Sequence, residues 1–176
     1  KQVDGMFDTD GQLLRDDVTG EFVYIYTYRN EFMVIDSGLN LLRRLHTIDT
    51  ITHAQVRVHT LADGTHKMDA PPVKVNNTAA LHGGVLFNES ELMGRYEEAD
   101  VWSKASIVDM YRTDMQEYLG SFFVFHRGKS RMTRMMVTGT YLYVLCGNEI
   151  VRYRFAQAVT SCFRTGEAEN LEQSRQ

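Results

Sequence analysis

Hydrophobic side chains in this chain fall in short runs, separated by polar or glycine-containing turns. The run Phe22–Tyr28 is dense in β-branched and aromatic residues, which favour strands. Its apolar side chains fall on both faces, as expected for a strand covered by neighbouring sheets. No window keeps the 3.6-residue period of an amphipathic helix over the length that a secure helix assignment needs. The pattern therefore predicts an all-β protein.

The same strand–turn–strand pattern occurs more than once along the chain. Gly20–Ile25 and Gly139–Val144 share the order glycine, any residue, aromatic, aliphatic, tyrosine, aliphatic, with the aromatic of the second copy also a tyrosine. They continue as Asn30–Met33 and Asn148–Val151, each with a short asparagine-containing turn before a second strand. Gly84–Phe87 looks like a degenerate third copy. Self-similarity of this kind is typical of repeat architectures.

The recurring unit is four strands in meander order. The first copy is predicted at Gln12–Asp16, Phe22–Tyr28, Glu31–Asp36 and Leu41–Ile48. The second copy is predicted at Val73–Leu81, Gly84–Asn88, Ser106–Tyr111 and Tyr118–Phe125. The third copy is predicted at Arg131–Val137, Tyr141–Cys146 and Glu149–Phe155, with Ala156–Thr165 as a candidate fourth strand.

Repeated four-stranded antiparallel meanders are typical of β-propeller blades, in which each sheet packs against the next. We therefore expect residues 1–165 to form a partial β-propeller of about three blades, at residues 12–48, 73–125 and 131–165. A β-sandwich of unrelated meanders is the alternative. The polar segment 166–176 is expected to be a frayed C-terminal tail.

Composition narrows the class of partner. Apolar residues make up 43% of the chain, charged residues 24%, and the net charge is −4, so no basic field favours nucleic acid. No apolar run approaches the roughly 20 residues that cross a bilayer. Cys146 and Cys162 are too few for a disulfide framework and lack metal-ligand spacing. We expect neither nucleic acid nor a membrane span among the partners.

Several phrases of the sequence resemble the closing blades of the TolB-like six-bladed β-propeller family, which consists largely of uncharacterised exported bacterial proteins. The resemblance lies in Asp109–Tyr111, Glu117–Phe122, Tyr141–Leu145 and Ile150–Tyr153, with Tyr28–Phe32 in the same style. It implies a periplasmic or cell-surface location. Since about three blades are fewer than the 4–8 of closed propellers, it also implies remaining blades, from the same chain upstream or from a second chain. The family has no catalytic motif to transfer.

Two histidines invite a metal-site hypothesis. His59 and His66 flank Asp63-Gly64, a two-residue hairpin turn that would place both imidazoles on one hairpin face. Two imidazoles without a third ligand are weak evidence for a metal, and an exposed polar hairpin face is the preferred interpretation. The sequence predicts neither a metal nor a cofactor.

The long connection Asn88–Ala105 is the segment where binding function is expected, because long loops in compact β domains often contain it. It contains five acidic residues, but their spacing matches no calcium loop, so a solvated charge run is the simpler interpretation. Tyr96 and Trp102 are the candidate contact residues of this binding loop, unless Trp102 packs beneath it.

The sequence contains no nucleophile elbow, phosphate loop, HExxH or CxxC pattern, and we nominate no catalytic residue. The function predicted is therefore a non-enzymatic binding scaffold that recognises a protein or a glycan. A hydrolase or lyase with a site at the channel mouth is one alternative. A structural role as half of an assembled propeller is another.

Overall fold

The computed structural model describes residues 5–165, so the predicted tail 166–176 lies outside the described residues. Thirteen strands and two helices of four residues each lie in this range. They are β1 (Gly11–Arg15), β2 (Phe22–Tyr26), β3 (Glu31–Ile35), β4 (Leu41–His46), β5 (Arg57–Thr60), β6 (His66–Ala70), β7 (Asn76–His82), β8 (Val85–Ser90), α1 (Ala99–Trp102), β9 (Ala105–Arg112), β10 (Tyr118–Phe125), β11 (Met132–Val137), β12 (Tyr141–Cys146), β13 (Glu149–Arg154) and α2 (Gln157–Thr160).

The strands form antiparallel meanders, which confirms the predicted all-β class and its four-stranded unit. The first sheet has the order β1-β2-β3-β4, and the second has β7-β8-β9-β10. The third sheet contains β11-β12-β13, and β5-β6 form a separate hairpin. Every strand in the three larger sheets pairs with the strand next to it along the chain, and the connections within these sheets are short apart from the long one between β8 and β9.

The three larger sheets stack in chain order, with the second sheet covered on both faces. One apolar cluster joins the first sheet to the second and includes Val23, Phe32 and Leu86. Another joins the second sheet to the third and includes Phe87 and Leu142. Strand β7 contacts β1 and β2 on one side and β11 on the other, so the first strands of the three meanders lie close together. Stacked meanders of this kind are consistent with propeller blades or an open sandwich-like stack, and they form no closed ring within residues 5–165.

Burial along the strands follows from this stacking. In β8 the consecutive side chains Val85, Leu86 and Phe87 are all fully buried, because Leu86 packs toward the first sheet and its two neighbours pack toward the third. A strand with both faces covered needs apolar residues at every position rather than at every second one. The sequence runs in which apolar residues do not alternate strictly with polar ones therefore correspond to strands that are covered by a sheet on each face.

The candidate fourth strand of the third meander is not a strand. Residues 156–165 instead contain α2 followed by a turn, and the backbone N–H of Arg164 bonds the carbonyl of Gly83 at 2.7 Å. Phe155 and Phe163, on either side of α2, pack with Phe87 of the second sheet. The Phe163 packing and the Arg164 bond hold residues 156–165 against the second sheet and not along the edge of β13.

Among the described residues, no helix is long and apolar enough to cross a membrane.

Candidate functional site

A cleft of about 610 Å³ lies where the first and second sheets diverge. One wall is the segment Ile48–Ile51, which follows β4. The other wall comes from β9, through Ile107 and Asp109, and from the long connection after β8. The cleft is lined by Ile48, Asp49, Thr50, Ile51, Ser90, Leu92, Met93, Gly94, Arg95, Glu97, Ile107, Asp109 and Tyr118.

Asp109 is the most deeply buried charged group of the cleft, with 5% of its surface exposed. The phenol of Tyr111 donates a hydrogen bond to Asp109 Oδ2 at 3.2 Å, and the same phenol oxygen accepts one from the N–H of Ile48 at 3.2 Å. The pKa of Asp109 is raised from 3.8 to about 6, mainly by burial. The Tyr111 hydrogen bond lowers this pKa, and the charges of Glu97 and Asp49 raise it. Burial likewise raises the pKa of Tyr111.

Hydrogen bonds to Asp109 are incomplete. Among the described residues, no donor bonds its Oδ1 atom, although the group is almost fully buried. Asn88 lies opposite Asp109 in the β8–β9 register, and its own Oδ1 is buried without a hydrogen-bond partner in residues 5–165. Asn88 Oδ1 is among the enclosed atoms of the described residues that lack a partner, whereas Asp109 Oδ1 is not, so the free Asp109 oxygen is open to the cleft.

Asp49 has a different environment, because its hydrogen bonds are local. Its Oδ2 accepts from the Thr47 hydroxyl at 2.5 Å and its Oδ1 from the N–H of Ile51 at 2.8 Å. The side-chain amide of Asn30 donates to the Asp49 carbonyl at 2.7 Å. Asp49 therefore shapes the turn that forms one wall and places its negative charge beside the cleft.

The opposite wall is shaped by a compact turn. The N–H of Gly94 donates to Glu97 Oε2 at 2.7 Å, and the N–H of Glu97 donates to the Gly94 carbonyl at 3.1 Å. The Ser90 hydroxyl donates to the Leu92 carbonyl at 3.1 Å, which directs the chain away from β8. These bonds hold the Glu97 carboxylate and the apolar Leu92 and Met93 side chains along one side of the cleft.

Further contacts hold the first and second sheets together at the cleft end. The Gln116 side chain bonds the backbone of His46 twice, accepting from its N–H at 2.7 Å and donating to its carbonyl at 2.6 Å. The guanidinium of Arg43 donates to the Thr113 carbonyl at 2.9 Å. Because these bonds join β4 of the first sheet to the β9–β10 turn of the second, they fix the two walls of the cleft relative to each other.

The two residues predicted from sequence lie outside the lining. Tyr96 is 91% exposed, and the Arg95 guanidinium carbon lies 5.8 Å from its ring centroid. Trp102 is half-buried at the end of α1. The structure thus places other side chains of the Asn88–Ala105 connection at the cleft, while Tyr96 and Trp102 do not line it and stay predicted contact residues.

Sequence reasoning missed Asp49 and Asp109. Asp109 did carry a signal, since it is a carboxylate between the apolar Val108 and Met110 of the predicted strand Ser106–Tyr111. A charge in that position must be paired or must serve a site. Asp49, on the opposite wall of the cleft, had no such signal. Its segment is far from Asp109 in the sequence, so the local pattern does not show that the two residues meet.

The predicted geometry of the two histidines is wrong. The observed register pairs Thr60 with His66 and His59 with Lys67, so the two imidazoles lie on opposite faces of the hairpin. The cause is the turn, in which the Leu61 N–H bonds the Thr65 carbonyl and three residues with a left-handed Gly64 connect the strands. His59 bonds Asp69 instead. Within residues 5–165, no group of three or more His, Cys, Asp or Glu side chains is placed to hold a metal.

A second groove, of about 400 Å³, lies among the first strands of the three meanders, where a propeller channel would run. Its titratable side chains are Arg15, Asp17 and His82. Arg15 and Asp17 form an ion pair at 3.7 Å, and the His82 ring packs edge-to-face on Phe163. These side chains are engaged with each other or with the core, so the first cleft offers the stronger candidate site.

Fold and cleft together define an all-β protein of stacked antiparallel meanders, two of four strands and one of three, with a carboxylate-lined cleft between the first two sheets. No family model and no curated protein matches the chain. Among solved structures, the computationally designed Ika4 protein is 12% identical, with 84% of this chain and 93% of Ika4 covered and a TM-score of 0.34. Hsv2 of Kluyveromyces lactis is 10% identical, with 85% of this chain and 63% of Hsv2 covered and a TM-score of 0.25. Similarity of this degree supports neither a family assignment nor a function.

Proposed function

We propose that this chain is a binding scaffold whose ligand enters the cleft between the first and second sheets. The observation that supports this most directly is the buried Asp109 carboxylate, which lines the cleft with one oxygen lacking a donor. A buried titratable group that lines a cleft and has a raised pKa is a candidate functional residue.

Binding is favoured over catalysis by the state of the carboxylates. Both oxygens of Asp49 accept local hydrogen bonds, and Glu97 accepts one from Gly94. An acid–base pair needs two carboxyl groups free to exchange protons with a substrate. Asp49 therefore has no free oxygen for such a pair, and Glu97 and Asp109 each have one oxygen already engaged, so the cleft is better suited to hold a group than to transform it.

The outer faces of the stack support a second proposal, that further blades pack against the first and third sheets. Leu13 and Leu41 are exposed on the first sheet, and Met136 and Ile150 are exposed on the third. The equivalent faces of the second sheet are covered by a neighbouring meander. Such apolar faces usually belong to interfaces. The proposal agrees with the TolB-like resemblance and with the periplasmic or cell-surface location that goes with it.

The mass of the chain in solution tests whether a second chain supplies those blades. We expect an oligomer that dissociates in Ile150→Lys, with Glu149→Lys as the matched exposed control. A monomer of 20.2 kDa at every concentration would exclude a second copy of this chain as the source.

A cleft-filling substitution tests the binding function. Immobilised peptides and glycans are presented to the protein and to Leu92→Trp, whose larger side chain would occupy the cleft. Met115→Trp is the control, because Met115 is exposed and does not line the cleft. We expect binding that Leu92→Trp removes and Met115→Trp retains. Binding that survives in both variants would place the ligand elsewhere and contradict the proposal.

A further inference from the structure

The charge of the cleft is one-sided. Its lining includes the carboxylates of Asp49, Glu97 and Asp109, against a single cationic side chain, Arg95. The Arg95 guanidinium lies over the exposed Tyr96 ring and forms no ion pair with any described residue. The cleft therefore presents more negative charge than its own side chains neutralise.

The hydrogen-bonding atoms that are free beside the cleft are acceptors. Asp109 Oδ1 is an acceptor without a donor, and the neighbouring Asn88 Oδ1 is another, both among the residues that the structure describes. The Tyr111 hydroxyl already donates its proton to Asp109 Oδ2. A ligand that brings a positively charged donor would suit the free Asp109 oxygen best, because such a donor forms a stronger bond with a carboxylate than a neutral donor does.

The remaining walls of the cleft are apolar. Ile48, Ile51, Leu92, Met93 and Ile107 line it beside the carboxylates. A neutral polar ligand such as a sugar would have to desolvate its hydroxyl groups against these side chains. Lysine and arginine side chains suit such walls better, because their methylene chains pack on apolar surface while the charged end reaches a polar group.

We propose that the cleft binds a lysine or arginine side chain of a protein partner, whose cationic group donates a hydrogen bond to the Asp109 carboxylate. This inference rests on the proposed binding function and names the chemistry of the ligand. The Asp49 and Glu97 charges attract the cation, and Asp109 at the base of the cleft receives its hydrogen bond.

The affinity should depend on pH, since only the ionised form of Asp109 attracts a cation. The charged or titratable groups around Asp109 are Asp49 from the first sheet, Arg95 and Glu97 from the long connection, Tyr111 from its own strand and Tyr118 from β10. With the pKa of Asp109 at about 6, affinity should rise about tenfold from pH 5 to pH 7.5.

The test uses four small probes and the whole chain, with binding followed by backbone amide chemical shifts. The probes are the Nα-acetyl methylamides of lysine, arginine and norleucine, together with a neutral disaccharide. We expect the two cationic probes to shift the amides of residues 48–51 and 92–97. Asp109→Asn should weaken their binding about tenfold or more, whereas Glu149→Gln on the third sheet should leave it unchanged.

The outcomes separate the two proposals. Equal binding of norleucine or the disaccharide in the cleft would keep the binding function and overturn the cationic ligand. Absence of binding by every probe would overturn both. The Asp109→Asn variant must be folded for its weaker binding to be meaningful, and its unfolding curve verifies this. A lysine-containing peptide that binds more tightly than the lysine probe supports a protein partner, and an equal affinity for free 1,5-diaminopentane would instead indicate a small amine.

Discussion

The carboxylate of Asp16 accepts a hydrogen bond from the backbone N–H of Gly84, with 2.6 Å between Oδ2 and the nitrogen. Its Oδ1 accepts further bonds from the N–H groups of Gly83 and Val18. Asp16 is fully buried and belongs to the β1–β2 turn, while the two glycines form the β7–β8 turn. One side chain therefore joins the corresponding turns of two adjacent meanders.

Replacing Asp16 with alanine should destabilise the protein by about 3 kcal/mol or more, because buried N–H groups lose a charged acceptor. Urea unfolding measures the change. Asp17→Ala is the matched control, since Asp17 is adjacent and largely exposed and its ion pair with Arg15 lies at the surface. Equal losses in the two variants would show that the buried bonds of Asp16 contribute little.

Replacing Asp109 with asparagine should stabilise the protein near pH 7.5. The pKa of Asp109 in the folded chain, about 6, lies above the usual 3.8, so the folded state binds its proton more tightly than the unfolded state does. Stability present below pH 4 is therefore lost as the pH rises from about 4 to 6, up to about 3 kcal/mol. Asparagine keeps an acceptor for Tyr111 and cannot ionise.

Urea unfolding of Asp109→Asn at pH 4 and pH 7.5 checks this sign. The gain should be present at pH 7.5 and absent at pH 4. Asp114→Asn is the opposite control, because Arg112 lowers the pKa of Asp114 and its loss should destabilise the chain at neutral pH. A destabilised Asp109→Asn at pH 7.5 would indicate that the ionised carboxylate supports the fold, contrary to its burial.

Replacing Phe87 with alanine should cost about 3–5 kcal/mol, the range for a large buried aromatic residue. Phe87 is fully buried and packs with Phe122, Phe155 and Phe163, so its removal leaves a cavity between the second and third sheets. Thermal unfolding gives the change. Phe125→Ala, at a largely exposed position of β10, should cost much less.

Replacing Gly20 with alanine should destabilise the chain by about 1–2 kcal/mol, because its φ of +74° lies in the left-handed region. No atom lies within 4 Å of the added Cβ, so the backbone conformation alone causes the loss. Gly139 is the counterpart in the sequence repeat and is not among the positive-φ residues of the described chain. Gly139→Ala should therefore change the unfolding midpoint in urea little, and a loss as large as that of Gly20→Ala would contradict the backbone explanation.

Gly20 and Gly139, the corresponding glycines of the sequence repeat, show what the repeat could predict and what it could not. The repeat located β2 with β3 and β12 with β13, because strand formation follows from the local density of β-branched and aromatic residues. It did not distinguish the conformations of Gly20 and Gly139, which depend on the turn that each closes. It also assigned a strand to residues 156–165, where burial of Phe155 and Phe163 against Phe87 favours α2 and a turn.

By itself, the sequence determined the all-β class, the meander order and the approximate bounds of the strands, since these depend on residues close together along the chain. Only the tertiary structure decided that Asp49 and Asp109 face one cleft, that Asp109 lacks a second donor, and that His59 and His66 face apart. Those relationships depend on which sheet faces meet and on the register between strands. Both follow from packing between distant segments, which no local pattern of hydrophobic and polar residues specifies.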